Sequence, residues 1–219
     1  MACYRKRPKS LWVTPEGYPY IALGLLLTLL AGRYGSGWLA LLAGGLTAYL
    51  TLFFRNPPRH IPPEDYWITA PADGRVVEIA DCEENRYLKK PAKRISIFMS
   101  PFNCHMNRAP VSGKIERCFY RPGKFNAAFR KKSMEFNEHH AILMKDDRQR
   151  SWLVVQIAGW LARRIVSYVK EGERLARGER FGLIQFGSRT DLYCPPDCEI
   201  LVRKGQRVLA GQTVLGRLS

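Results

Sequence analysis

A glycine followed by a serine ends an apolar run in the stretch FGLIQFGSRTDLY, residues 181–193. The hydroxyl of Ser188 can attack the carbonyl carbon of Gly187, which converts the peptide bond into an ester by an N→O acyl shift. Glycine before the serine removes the Cβ that would crowd this attack, and it tolerates a strained backbone. β-Elimination of the ester and hydrolysis would then leave a pyruvoyl group in place of Ser188. The alternative is an ordinary Gly-Ser turn, and only the residues elsewhere in the chain can distinguish a reactive bond from such a turn.

The elements that must position this bond are mostly strands. From Trp67 onward, short apolar runs alternate with turn residues, which is typical of a β-rich body. Strands are predicted on both sides of an Asp-Gly turn at 67–80, and at 94–100, 113–120, 140–146, 152–158, 164–169, 183–187, 190–194 and 213–218. A weak helical signal lies near 124–132. The prediction is a β-dominated α+β catalytic domain over residues 67–219.

An internal repeat refines this fold prediction. VKEGERLARGERFG (169–182) aligns with VRKGQRVLAGQTVL (202–215), with valine, arginine and two glycines at equivalent positions. Two such copies resemble the flattened β-sandwich of biotinyl and lipoyl carrier domains. Those carriers present a modified lysine between their halves, whereas residues 181–201 here contain no lysine. We therefore expect a carrier-like scaffold with Gly187 and Ser188 at an exposed junction between the copies.

Two apolar segments, residues 18–32 and 38–54, precede this body and are separated by RYGSG. Each is at or just under the roughly 17–25 residues of a transmembrane helix, so a spanning hairpin and one lying in a single leaflet both remain open. Two buried helices in a soluble core are the alternative. Basic residues flank the pair on both outer sides, which predicts that both ends face the cytoplasm. The expected organisation is a basic tail at 1–17, a membrane-associated helical hairpin at 18–54 and a linker at 55–66.

The charge composition of the chain limits the classes of molecule that it is expected to bind. The chain carries 35 Lys and Arg against 19 Asp and Glu, a net charge of +16. Such an excess favours a polyanion, either nucleic acid or an anionic lipid surface. The apolar hairpin favours lipid headgroups at the cytoplasmic face of the cell membrane, and no nucleic-acid-binding motif is recognisable. The six cysteines match no zinc spacing, so we expect no metal site and reduced thiols.

The stretches PADGRVVEI, SPFNCHMNRAPVSGKI and YVKEGERLARGERFGLIQFGSR, together with the paired apolar segments, resemble the phosphatidylserine decarboxylase family in its short bacterial and archaeal form. The resemblance covers nearly the whole chain. It implies a proenzyme that cuts itself between Gly187 and Ser188 into a β chain of residues 1–187 and an α chain of residues 188–219, which stay associated. Ser188 would become a pyruvoyl cofactor that forms a Schiff base with phosphatidylserine and releases CO2 and phosphatidylethanolamine. The family also tends to form homo-oligomers.

The resemblance implies further roles. Asp73, in PADGR, would orient the base that activates Ser188, although Asp-Gly is also a common turn. His105 would act as the proton carrier. The long form of the family has a second histidine three residues later, where this chain has Arg108. Either His105 serves both cleavage and turnover, which we favour, or His139 or His140 supplies the missing base. Arg108 could alternatively hold the substrate phosphate or carboxylate.

Three other functions compete with phosphatidylserine decarboxylation. The first is decarboxylation of an archaetidylserine-type ether lipid. The second is a non-catalytic, membrane-anchored adaptor with a lipoyl-like fold, against which the missing carrier lysine counts. The third is a pyruvoyl enzyme acting on a soluble amino acid, which would need no membrane hairpin.

Overall fold

The computed structural model of the protein describes residues 3–5, 12–123, 137–159, 164–185 and 188–218. The chain divides into two compact units, one of residues 8–58 and one of residues 1–7 with 59–219. The predicted helix near 124–132 lies outside the described residues.

The smaller unit is a helical pair. A 3-10 turn at Pro15–Gly17 leads into α1 (Tyr18–Tyr34), and α2 (Gly37–Phe53) follows after two residues. The helices approach closely at Gly24, where an added Cβ would lie 2.5 Å from the Thr47 hydroxyl oxygen. Both helices expose many leucine side chains. The two predicted helices are therefore confirmed, but no helix among the described residues is long and apolar enough to cross a membrane.

The larger unit consists of strands with short connections, as far as the structure describes it. They are β1 (Cys3–Tyr4), β2 (Trp67–Thr69), β3 (Gly74–Glu84), β4 (Lys90–Met99), β5 (Met106–Arg108), β6 (Gly113–Arg121), β7 (His139–Lys145), β8 (Ser151–Ala158), β9 (Arg164–Ser167), β10 (Arg174–Leu175), β11 (Arg180–Gln185), β12 (Ser188–Cys194), β13 (Glu199–Ile200), β14 (Arg207–Val208) and β15 (Val214–Arg217). The β-dominated fold is confirmed, and most predicted strands lie within a few residues of their expected positions.

The strands form three sheets. The largest is antiparallel, with the order β10-β6-β7-β8-β12-β4-β3-β14, and the smaller ones are β1-β9-β11-β5 and β13-β15-β2. Side chains of the large sheet pack on both faces, because successive residues of a strand point to opposite sides. Ile97, Met99 and Val154 belong to a cluster on one face, and Val155 and Ile157 belong to a cluster on the other. This two-sided burial explains why β12 is buried along its whole length.

The sequence repeat has a structural counterpart. All four repeat glycines, Gly172, Gly178, Gly205 and Gly211, have positive φ angles between 74° and 90°, a conformation that favours glycine. The two-residue strands between them, β10 and β14, pair with β6 and β3 at opposite edges of the large sheet. The two copies are thus equivalent in backbone geometry, while the likeness to carrier sandwiches stays a prediction.

The expectation that Ser188 lies at an exposed junction is wrong. Strand β11 ends at Gln185 in the four-stranded sheet, and Ser188 is already the first residue of β12 in the middle of the eight-stranded sheet. Ser188 pairs with Met99 of β4 and Ala158 of β8, and its side chain is 0% exposed. The segment between the repeat copies therefore includes β12, a central strand of the core.

Candidate active site

Ser188 presents its hydroxyl to a weak hydrogen-bond acceptor. Its Oγ lies 3.3 Å from the Sδ atom of Met99, a thioether that accepts hydrogen bonds only weakly. The hydroxyl is therefore held in place without a strong bond that a reaction would first have to break. Gly187, the other half of the predicted cleavage site, lies outside the described residues.

His105 is fully buried immediately before β5, and its ring has a defined tautomer. The Nδ1 atom lies 3.0 Å from the carbonyl oxygen of Asn103. Because a carbonyl can only accept, Nδ1 carries the hydrogen and donates it, which leaves the lone pair of the neutral ring on Nε2. The Asn103 side chain is itself fixed, since its Oδ1 accepts hydrogen bonds from the backbone and hydroxyl of Ser100. In its neutral form His105 can therefore act as a general base through Nε2.

The His105 segment also touches the strand that leads toward Ser188. The backbone N–H of Ile184 donates to the carbonyl oxygen of His105 at 3.2 Å, and β5 pairs with β11. Ile184 lies in β11, four positions before Ser188, the first residue of β12. The hydrogen bond to Ile184 therefore links His105 to the segment that leads into Ser188.

Asp73 is buried in the turn between β2 and β3, with both carboxylate oxygens bonded. Oδ2 lies 2.7 Å from Nη2 of Arg59, and Oδ1 accepts the backbone N–H of Ala210 at 2.7 Å. In the described part of the chain, this carboxylate is hydrogen-bonded to these groups and not to His105. The orienting role that the family resemblance implies therefore stays a prediction. Arg59, which the sequence places in a linker, is a partner that the motif did not reveal.

Three buried polar side chains connect the segments that carry the candidate residues. Nδ2 of Asn107 lies 3.2 Å from the carbonyl oxygen of Pro71 and 3.3 Å from Oγ1 of Thr190, while its Oδ1 accepts Nε2 of Gln156 at 2.7 Å. All three side chains are fully buried. Sequence reasoning missed this group, because asparagine, glutamine and threonine carry no catalytic signature of their own.

The two adjacent histidines are separated by the sheet. His140 of β7 pairs with Gln156 of β8, which pairs with Thr190 of β12, so these three side chains share a face with Ser188, two residues from Thr190. His139 pairs with Ile157, which pairs with Arg189, and so lies on the opposite face. There its Nε2 meets the Tyr87 hydroxyl at 2.5 Å. Of the two alternative bases, His140 shares a face with Ser188 and His139 does not.

Burial keeps His140 neutral. Its Nδ1 lies 3.1 Å from Oε1 of Gln156, and removal from water lowers the pKa of the ring to about 4, with a smaller opposing effect from that hydrogen bond. Burial likewise lowers the pKa of His139. At neutral pH both rings are therefore uncharged.

Replacing His140 with glutamine should make folding less sensitive to acid. The folded-state pKa lies below the unfolded value near 6.5, so unfolded chains bind more protons between these values and the free energy of unfolding falls as the pH drops from about 6.5 to about 4. The loss attributable to His140 is on the order of 3 kcal/mol. Urea titrations at several pH values, in a Ser188→Ala background that blocks any cut, would measure it. The matched control is His60→Gln, because His60 is exposed. An equal acid dependence with and without His140 would contradict the assignment.

Arg108 lies among other arginines at the end of β5. It is the cross-strand partner of Arg180, and its Nη1 donates to the carbonyl oxygen of Gly178 at 2.9 Å. Burial, followed by the positive charges of Arg180 and Arg59, lowers its pKa to about 10. Arg108 therefore stays a cation at neutral pH and cannot serve there as a base. A half-buried group of guanidinium ions beside Asp73 is suited to an additional anion.

The described residues contain no group of three or more His, Cys, Asp or Glu side chains that could hold a metal ion. The site consists of a buried serine, a buried histidine whose Nδ1 donates to a backbone carbonyl, a carboxylate and a cationic group. Such a set can perform acyl transfer at a serine and proton transfer at a nearby carbon.

Comparisons with known proteins agree with this chemistry. The family model described as phosphatidylserine decarboxylase matches residues 46–216. A phosphatidylserine decarboxylase proenzyme of Syntrophotalea carbinolica is 49% identical over 207 residues, which cover 94% of this chain and 96% of the relative. Proteins with the same name from Carboxydothermus hydrogenoformans and Xanthobacter autotrophicus are 48% and 47% identical, over 93% of this chain in each case and over 95% and 88% of the relatives.

Proposed function

The chain belongs to the phosphatidylserine decarboxylase family, and we propose that it converts phosphatidylserine into phosphatidylethanolamine and CO2 as part of phospholipid synthesis. The observation that carries this function is the near full-length similarity to proenzymes of that name. The chain is thus a decarboxylase made as a proenzyme.

Self-cleavage is the first reaction in this proposal. Nε2 of His105 accepts the hydroxyl proton of Ser188, and Oγ forms a bond to the carbonyl carbon of Gly187. The C–N bond then breaks as the imidazolium returns this proton to the nitrogen of residue 188, which becomes a free amine. Loss of the α-hydrogen of residue 188 then breaks the Cβ–Oγ bond and releases the carboxylate of Gly187. Hydrolysis of the remaining dehydroalanine releases ammonia and leaves the ketone. The weak acceptor at Ser188 and the tautomer of His105 support this assignment.

The site fits a pyruvoyl group at position 188. The two cross-strand neighbours of Ser188 are the apolar residues Met99 and Ala158, and the side chain is fully buried. An uncharged ketone needs no counter-ion in such surroundings, and the sheet excludes water. When formed, the group supplies an electron sink for the loss of a carboxylate next to an amine. In this proposal His105 also delivers, through Nε2, the proton that replaces CO2 on the substrate carbon.

The two chains would stay associated after the cut. Residue 188 begins β12, which forms hydrogen bonds with β4 on one side and β8 on the other. Both neighbours lie in the segment 1–187, so the α chain would remain as a central strand of a sheet built mainly by the β chain. We extend the proposal to a homo-oligomer, which rests on the family resemblance, and to a carrier-like sandwich, which rests on the internal repeat.

Arg108, with Arg59 and Arg180, is proposed to bind the acidic groups of the headgroup. Arginine binds phosphate and carboxylate through paired hydrogen bonds. Asp73, bonded to Arg59, offsets part of the positive charge and fixes the direction of that guanidinium. This role leaves His105, and not Arg108, as the base.

The helical pair is proposed to associate with the cytoplasmic face of the cell membrane. Leucine side chains are exposed along both helices, among them Leu29 at 71% and Leu41 at 78% exposure. Apolar surface of this extent favours contact with acyl chains. The net charge of +16 complements anionic headgroups such as that of the substrate.

Purified protein should convert phosphatidylserine in mixed vesicles into phosphatidylethanolamine with release of one CO2 for each lipid. Lipid mass spectrometry and labelled CO2 would measure both products, with Ser188→Ala protein as the inactive control. Parallel incubations with an ether-linked serine lipid and with free serine separate the alternative substrates. An uncut chain without any product would instead favour the non-catalytic adaptor.

A further inference from the structure

We propose that Asn107 is a positioning residue that holds the segments carrying Asp73, His105 and Ser188 in their reactive arrangement. The inference rests on the proposed function and adds to it a residue with no chemical role in either reaction. Asn107 lies two residues after His105, and its side chain contacts Pro71, two residues before Asp73, and Thr190, two residues after Ser188. One buried amide therefore touches all three segments.

Both polar atoms of this amide are hydrogen-bonded to buried groups. A primary amide has two N–H donors and a carbonyl acceptor. The donors of Asn107 go to the carbonyl of Pro71 and the hydroxyl of Thr190, and the acceptor takes the N–H of Gln156. The carbonyl of Pro71 also accepts the backbone N–H of Arg108 at 2.9 Å, which ties the same turn to β5 a second time.

Gln156 fixes the direction in which this chain of hydrogen bonds runs. Its Nε2 donates to Asn107, so its Oε1 accepts from Nδ1 of His140. The amide is also confined from the other side, because a Cβ on Gly182 would lie 2.9 Å from its Nε2 atom. Neither amide can turn over without leaving a buried donor or acceptor unsatisfied, which is costly in a fully buried site.

The hydroxyl of Thr190 extends the arrangement to the nucleophile. Its Oγ1 lies 3.6 Å from Sδ of Met99, the same sulfur atom that receives the Ser188 hydroxyl at 3.3 Å. Displacement of the Asn107 side chain would therefore move Thr190 and Met99, which contact each other beside Ser188, together with the segment that carries His105. A misplacement of about 1 Å between reacting groups can cost on the order of 100-fold in rate.

Thr190→Val tests the inference with little change of shape, because it removes only the hydroxyl that Asn107 contacts. We expect self-cleavage to slow about tenfold in Thr190→Val and about 100-fold in Asn107→Ala, and Thr190→Ser to restore most of the rate. The matched control is Thr69→Val, since Thr69 is also a fully buried strand residue whose hydroxyl bonds a backbone carbonyl, that of Pro110. It should cut at the wild-type rate.

Cleavage would be followed on denaturing gels after synthesis in a cell-free system, and melting temperatures would be compared in the Ser188→Ala background. In the fraction that does cut, kcat should fall while KM stays unchanged, because the fully buried amide of Asn107 bonds to Pro71, Thr190 and Gln156 of the protein itself. Cleavage of Thr190→Val within twofold of wild type, or equal slowing in Thr69→Val, would overturn the inference while leaving the proposed function intact. A wild-type chain that never cuts would overturn the proposed function, and this inference with it.

Discussion

A chain in which Ser188 is replaced by alanine should remain a single 25.1 kDa polypeptide, whereas the wild-type chain separates into residues 1–187 and 188–219. The loss of self-cleavage should be complete, because the variant has no oxygen nucleophile next to the Gly187 carbonyl and residue 188 is fully buried from water. The fold should survive, since the Ser188 hydroxyl contacts a weak thioether acceptor. Intact-mass spectrometry would measure the result and would also detect the mass of the ketone on the wild-type fragment.

Ser96→Ala is the matched control for this experiment. Ser96 is equally buried on β4, the neighbouring strand, but it pairs with Asp191 and so lies on the opposite face from Ser188. It should cut normally. A cut at residue 188 in the Ser188→Ala chain would show that the proposed acyl shift is wrong.

Replacing His105 with alanine should slow self-cleavage by roughly 100-fold to 10,000-fold, the usual contribution of a positioned general base. The hydrogen bond from Nδ1 to the Asn103 carbonyl leaves Nε2 as the proton acceptor, and alanine provides none. The same variant, where it does cut, should also turn over slowly, because decarboxylation needs a proton donor. Time courses of cleavage and of CO2 release would measure the two effects separately.

The adjacent histidines provide the controls for His105. His139→Gln should cut at close to the wild-type rate because His139 lies on the face opposite Ser188. His140→Gln should slow cleavage by no more than about tenfold, through its hydrogen bond to Gln156. An intact precursor in His140→Gln together with normal cleavage in His105→Ala would identify His140 as the base instead.

Local patterns in the sequence predicted much of the fold. The strands β2 and β3 on either side of Asp73 and the alternating strands that follow are confirmed, because strand periodicity depends on neighbouring residues. The repeat correctly indicated equivalent glycine turns at Gly172 and Gly205. The same repeat wrongly predicted an exposed Ser188, because a repeat does not reveal which strands will flank the segment between its copies.

The sequence by itself determined the kind of chemistry and the family, since FGSR and SPFNCHMNRAP are contiguous motifs whose residue types carry the reaction. Only the tertiary structure decided which groups meet. It placed the side chains of His139 and His140 on opposite faces of β7. It also paired Asp73 with Arg59 and placed the Asn107 amide against Pro71 and Thr190. These contacts depend on strand order and register over separations of up to 83 residues. Burial then increased the strength of these contacts, because hydrogen bonds and charge interactions are stronger where water is excluded.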